Sequence, residues 1–582
     1  MNNKLLSFAA AAATLLAFAA CNKVDVQNPD VTNMETAYAK VKISMGKVGT
    51  RSFDQAEEGD HYFDKGTAAE AKINNLTVLL FDDNKNMVGV GSTNGFEANT
   101  DRTGSTSVSD EKVAVIPVKI TPGSAEPKTM LAFVNTTASF ETLAAAAANK
   151  TADFGKVGEF VMTNAGYYDD DVWTTAVSCE DLIYETEEEA TTAEDGTITV
   201  YVERVAAKVT VDQDEDIVTT ADIKILGVDG KTEYKIEFDP YHWAATGTAR
   251  ESYSLKQAFS TSLNTWANDA TKYRSYWAQD VLSDKKYEDY SAEPRPLKYL
   301  TANQIVSDKG VGLAFGKDPF YIHEHTLGSA VVRDSKFNAV AAATNAIVVG
   351  QYKVLDEEGA SADAFKTDND EYDFYLAMTG DDEYVIYSEK DLVKRIFEIS
   401  EAKVSTESGS EAEEDLIKAE AAADYFTVQK DGNQYRLALK TETPLYVGET
   451  QLSKDNIKDN LTGASNAKHY FNGWAYFFAP IMHNGDCGTV NAPAEGFYGI
   501  VRNHSYQLTV KEIIGLGAPL DEGKIGPDPK GSDPKDPDED PDPDPEPGDD
   551  PIVPDPDETK NAWINATLKV LSWHVVDQNV RL

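Results

Sequence analysis

Three cysteines, Cys21, Cys179 and Cys487, are all that the 582 residues contain. They form no C-x-x-C pair and no even framework, so neither a disulfide scaffold nor a cysteine zinc site is indicated. Histidine is scarce as well, with 8 in the chain. H-E-x-x-H, a glycine-rich phosphate loop and a G-x-S-x-G elbow are all missing, which removes the common hydrolase and nucleotide-binding signatures. Basic residues are outnumbered: Lys+Arg 53 against Asp+Glu 98 leave a net charge of −45. Nucleic acid and anionic lipid surfaces both demand basic patches, so neither is expected as a partner. Beyond the first twenty residues no run is long and apolar enough to span a bilayer.

What chemistry-bearing residues there are do not assemble into a motif. His323-Glu324-His325 is the only close histidine pair. On a strand both imidazoles would share a face, but a third metal ligand is not evident, so a packing role is expected. Asp212-x-Asp214-x-Asp216 and Asp368-x-Asp370 lack the glycine that an EF-hand loop needs at its sixth position. The aromatic run Tyr470, Phe471, Trp474, Tyr476, Phe477 and Phe478 could stack sugars, yet at strand spacing such residues are expected in the core. No catalytic residue, metal or other cofactor is assigned.

At this length two large domains are expected. Residues 1–20 are a targeting segment, with Lys4 as the positive end and an alanine-rich apolar stretch. Ala19-Ala20 before Cys21 resembles a bacterial lipoprotein signal, with Phe18 where leucine is usual. That resemblance implies cleavage before Cys21 and acylation (palmitate) of its thiol.

Many short alternating segments and few helices point to a mainly β chain built of β-sandwiches. The first segment carries Ala39, Val41, Ile43 and Met45 on one face and Lys40, Lys42 and Ser44 on the other. A polar loop follows. It holds Arg51, the first arginine, with the next at Arg102. Further strands are read at 73–81, 113–120, 130–135, 198–202, 207–211, 223–228, 234–238, 346–355, 374–378, 469–479 and 496–517. Helices are read at 140–149 and 389–399, and a surface helix or loop at 405–423.

Residues 526–559 alternate proline with acid, as in Asp540-Pro541-Asp542-Pro543-Asp544-Pro545. Proline stiffness and charge repulsion predict an extended spacer. At about 3.1 Å per residue it would reach on the order of 100 Å. A last strand follows, with Ile564, Ala566, Leu568 and Val570 on one face and a bulge or change of face expected near Leu571. First and last strands thus carry matching four-residue apolar stripes.

The segments Tyr470-Phe471-Asn472-Gly473-Trp474-Ala475-Tyr476, Val501-Arg502-Asn503-His504-Ser505-Tyr506 and Ile513-Ile514-Gly515-Leu516-Gly517, followed by the Pro/Asp tract, resemble the Bacteroidales fimbrilins, most closely the shaft subunit of the short fimbriae. Lys72-Ile73-Asn74-Asn75-Leu76, Ala132-Phe133-Val134-Asn135 and Val202-Glu203-Arg204-Val205-Ala206-Ala207-Lys208 agree with it. The resemblance implies two transthyretin-like β-sandwich domains. It divides the chain into a signal (1–20), a propeptide with the first strand (21–51), an N-terminal domain (52–215), a C-terminal domain (216–525), a linker (526–560) and a donor strand (561–582). It further implies an outer-membrane lipoprotein precursor, cut between Arg51 and Ser52 by an arginine-specific, trypsin-like protease. The first strand then leaves, and the last strand of another copy takes its groove. Implied partners are further copies, anchor and tip subunits, and a host or bacterial surface receptor. A surface lipoprotein or tip adhesin that binds glycan or protein is the alternative, and a surface hydrolase a third reading without a site.

Overall fold

The computed structural model describes residues 34–44, 63–64, 66–98, 111–136, 143, 150–151, 153–169, 172–220, 223–258, 278–283, 285, 290, 295–327, 342–380, 383–483, 488–489, 492–493, 496–526, 530–531, 550–554 and 563–573. The targeting segment, Cys21, Met45, Arg51, Ser52, nearly all of the 140–149 helix and most of the Pro/Asp tract lie outside them.

Period-two apolar segments can bury one face only by joining a sheet, and here they join two cores. The first is a barrel. Its strands are β1 (Glu35–Ser44), β3 (Leu76–Phe81), β4 (Met87–Thr93), β5 (Glu111–Ile120), β6 (Thr129–Val134), β7 (Met162–Asn164) and β8 (Thr197–Arg204); β2 (Phe63–Asp64) stands apart. Neighbours run β1–β8–β7–β6–β3–β4–β5, and β5 pairs with β1 again, which closes the sheet. Every residue of β3 is buried because the barrel is covered outside as well as filled. Val78 and Leu80 face the interior. Leu79 and Phe81 meet Phe133 and Leu255, the last contributed from beyond the barrel strands in sequence.

The second core is a sandwich. After β9 (Ala206–Thr220) come β10 (Lys224–Leu226), β11 (Glu233–Thr246), β12 (Phe320–His323), β13 (Asn345–Asp356), β14 (Phe374–Gly380), β15 (Glu383–Tyr387), β16 (Lys468–Tyr470), β17 (Trp474–Pro480), β18 (His504–Ile514), β19 (Ala518–Pro519) and β20 (Trp563–Trp573). One sheet runs β2–β20–β18–β9–β12, the other β16–β14–β15–β10–β11–β13–β17–β19. Val209, Val211, Tyr506 and Leu508 from the first pack on Trp243, Val348 and Phe477 from the second. The alternate residues Ala244, Ile347, Val349 and Trp474 form an outer layer with Ile305, Ile525 and Ile552. Ala206 belongs to the barrel core and Ala207 to the sandwich core, so the chain changes domain at the start of β9. The boundary expected at 215/216 falls inside that single strand, because one face of β9 from Ala207 on is already committed to the sandwich.

An insert between β15 and β16 has its own small core. Its helix α1 (Glu389–Ser400) starts at Ser388, whose hydroxyl accepts from the Asp391 amide, and stops at Glu401 in the left-handed region (φ 50). Leu392, Val393, Ile396 and Phe397 recur at helical spacing and pack against Phe426 and Leu437 of the hairpin Phe426–Asp431/Gln434–Leu439. The acidic stretch at 405–423 forms short 3-10 turns, Glu413–Asp415 and Ala419–Ala421, leading into a one-turn helix (Ala422–Tyr425).

Candidate functional site: the seats of the first and last strands

β1 is held on both edges. All ten residues pair antiparallel with β5, from Glu35 opposite Ile120 to Ser44 opposite Glu111. On the other edge Lys40–Ser44 run parallel to Thr197–Tyr201 of β8, and Tyr38 and Ala39 face Tyr184 and Ile183. Ala39, Val41 and Ile43 are 0% exposed inside the barrel. Full burial of Val41 and Ile43 contributes roughly 1.5–3 kcal/mol each, with the two ladders in addition. β1 is therefore the stave that closes the barrel. Without it, β5 and β8 become open edges above an uncovered apolar core.

β20 is held differently. It pairs antiparallel with β18 along its length, with Ile564 opposite Ile513, Leu568 opposite Leu508 and Val570 opposite Tyr506. Among the described residues its outer edge meets only β2, at Phe63–Ser572 and Asp64–Trp573. Ile564, Leu568 and Val570 lean on the sandwich core but stay half-buried, as does Ala566, while Thr567 and Lys569 are exposed. The strand thus folds back onto its own chain. Of the bulge or change of face expected near Leu571, the bulge is not there: Ser505 opposite Leu571 and His504 opposite Ser572 continue the ladder, and the irregularity lies on the partner, between Val510 and Glu512. The extra residue, Lys511, pairs with Asp214 instead.

Between the two seats lies a buried charged joint. Arg204 Nε donates to the Glu70 carbonyl (2.9 Å) and its Nη1 to Asn503 Oδ1 (3.1 Å). Lys208 Nζ stands 3.1 Å from both Asp64 Oδ2 and Glu70 Oε1. Arg502 Nε stands 3.3 Å from Glu324 Oε1, both side chains fully buried, and Arg502 Nη1 donates to the Ser254 carbonyl. Lys256 Nζ lies 3.0 Å from Glu203 Oε2. Burial pushes the Glu70 carboxyl up, but the Tyr321 hydroxyl and Lys208 outweigh it and the group sits below its ordinary value. At Asp64 burial is likewise outweighed, by Ser505, the Gly66 amide and Lys208. At Glu203 burial wins over Lys256 and the carboxyl is held high. The Val501-Arg502-Asn503-His504 block, read from the sequence only as a landmark, supplies much of this joint. Asn503 takes φ 58 and turns its side chain to Arg204.

The other sequence candidates are structural. His323 Nδ1 bonds Ser252 and His325 Nδ1 bonds Thr344, while Glu324 serves Arg502. Among the described residues no group of three His, Cys, Asp or Glu is placed to hold a metal. Tyr470, Trp474 and Tyr476 are buried in strands or at their ends and leave no solvent-exposed face for a sugar.

Comparisons with known proteins bear on the last part of the chain. Residues 468–579, which span β16 to β20, match the family model described as major fimbrial subunit protein type IV, fimbrillin, C-terminal. Over these residues the chain is similar to the C-terminal part of fimbrial subunits, in agreement with the resemblance read from the sequence. No curated protein matches the chain. Among solved structures, a protein assigned to cell adhesion from Parabacteroides distasonis is similar at 10% identity and TM-score 0.35, covering 93% of this chain and 99% of that one. One from Bacteroides eggerthii, also assigned to cell adhesion, shares 11% identity at TM-score 0.31, over 93% and 97%. The tip fimbrial protein Mfa3 from Porphyromonas gingivalis shares 10% identity at TM-score 0.24, over 83% and 95%.

Proposed function

We propose, for a chain whose C-terminal part is similar to that of the fimbrillins, that it is the structural shaft subunit of a cell-surface fimbrium and polymerises by exchange of strands. The precursor is exported, lipidated at Cys21 on the outer membrane, and cut between Arg51 and Ser52 by an arginine-specific protease. β1 then leaves, and β20 of another copy takes the vacated place in the barrel. Backbone ladders supply affinity and alternate side chains supply register, as in other β-strand additions. The contact joins unlike surfaces and does not close on itself, so it propagates into a filament. Anchor and tip subunits end the filament, and a surface receptor is its target.

One observation carries this reading: the two strands are of matched pattern but unequal seating. β1 has the inward face Ala39, Val41 and Ile43 wholly buried and partners on both edges, whereas the apolar face of β20 is half-buried and, among the described residues, has a long partner on one edge only. Once β1 is gone, transfer of β20 to the empty barrel gains a second ladder and completes the burial of its apolar face. While β1 is present the better seat is taken, which prevents premature assembly.

The test is digestion and assembly of purified precursor. A trypsin-like protease is added, the new N-terminus is sequenced, and the unboiled product is run on an SDS gel beside a variant ending at Thr559. A terminus at Ser52 with an SDS-resistant ladder, absent from the truncation, is the expected result. A stable monomer in both samples would remove the shaft reading and leave a surface-binding lipoprotein.

A further inference from the structure

The Pro/Asp tract reads as an extended, semi-rigid spacer of about 100 Å, from about 3.1 Å per residue in an extended proline-rich chain. The structure pins it at two places on the sandwich. Lys530, one of few cations in the acidic tract, sets its ammonium 4.8 Å from the Tyr241 ring centre and 5.2 Å from that of Trp474. The same Nζ donates to Gln351 Oε1 (3.2 Å), and the Lys530 carbonyl accepts from the Asp308 amide (3.1 Å). Twenty-two residues on, Ile552 is 1% exposed in the outer apolar layer. Its amide donates to the Leu300 carbonyl (2.9 Å), and Pro551 bridges Thr301.

We propose that Lys530 and Ile552 form a clip for the tether, and that the clip stays closed when β20 moves to another copy. The second half of this rests on the assembly reading above. Two facts support it. The clip lies on the outer face of the eight-stranded sheet, whereas β20 lies in the opposite sheet, across the core. Departure of β20 from β18 therefore breaks none of the contacts made by Lys530 or Ile552. With the clip closed, only residues 555–562 connect it to β20. Nine Cα steps from Pro554 to Trp563 (563 − 554) span at most about 30 Å, against about 100 Å for the 32 steps from Gly531 (563 − 531). The clip thus sets a short, stiff spacing between successive subunits. A short connector also raises the effective concentration of the strand at a correctly placed neighbour and lowers it elsewhere.

Hydrogen exchange with mass spectrometry at the Ile552 amide tests the clip, on the monomer and then on the assembled polymer. Wild type should be protected in both, with exchange slowed at least about tenfold relative to the Ile552→Asp variant. Filaments of Ile552→Asp should show a longer and more variable subunit repeat by electron microscopy. Lys530→Gln, which removes the cation but no buried apolar group, should weaken protection partway and guards against a folding defect in the first variant. Ile552→Val should restore protection. Free exchange at Ile552 in the wild-type monomer overturns the clip. Protection lost on assembly, or an unchanged repeat in Ile552→Asp, overturns its role in spacing. A chain that never polymerises removes the assembly reading and the spacing role with it, while monomer exchange still decides the clip.

Discussion

Leu568 distinguishes the two seats of the last strand. In the monomer it lies half-buried at a sheet edge opposite Leu508. Truncation there loses about half of a leucine's transfer free energy, roughly 0.8–1.5 kcal/mol. In the barrel an inward residue takes the environment of Val41 or Ile43, which are 0% exposed. Leu→Ala in a fully buried site costs about 2–5 kcal/mol. Leu568→Ala should therefore weaken strand addition by about 0.5–4 kcal/mol more than it weakens the monomer, about 2- to 1,000-fold in affinity. The assay takes processed protein ending at Thr559, whose barrel is empty on the proposed assembly route, and titrates it with a peptide covering residues 562–574. Monomer stability is measured separately by denaturant unfolding of the unprocessed full chain. Lys569→Ala, at an exposed position in the observed seat, is the control and should change neither quantity by much. Equal losses in both experiments, or a loss in the monomer alone, would refute the claim that the barrel is the deeper seat.

Other expectations concern the joint and the buried thiol. Lys256→Met leaves Glu203 buried without its partner and should cost roughly 3–5 kcal/mol in denaturant unfolding; a loss below about 1 kcal/mol would mean the pair is not buried in solution. Glu70 and Asp64 have folded values below their ordinary 4.5 and 3.8, so the stability they contribute is present above those values and lost as pH falls through the lower folded ones. Melting temperature should accordingly drop between pH 5 and the acid limit, and a Glu70→Gln, Asp64→Asn variant should show a shallower drop; parallel curves would count against this account. Burial pushes the Cys179 thiol up to about 12, so iodoacetamide at pH 8 should label it only on unfolding, as read by peptide mapping.

Much of the β architecture was legible in the chain because period-two alternation is a local property. Ala39, Val41 and Ile43 announce an inward face without reference to any partner, and α1 shows itself by Leu392, Val393, Ile396 and Phe397. The acid excess and the missing motifs excluded whole classes of function on composition alone. What alternation leaves open is which edge a strand meets. That β1 closes a barrel between β5 and β8, and that β20 lies on β18 of its own chain, depends on residues far apart in sequence meeting in space. The charged joint was hidden for the same reason. Glu324 reads as the middle of a histidine pair until Arg502, far along the chain, is beside it. Lys530 and Ile552 show what composition leaves out of the tether. A proline-acid tract has the composition of an extended, semi-rigid spacer, and one lysine and one isoleucine barely alter that average. Two aromatic faces and an apolar layer on the folded sandwich turn those two residues into anchors, and only the tertiary structure brings those surfaces within reach.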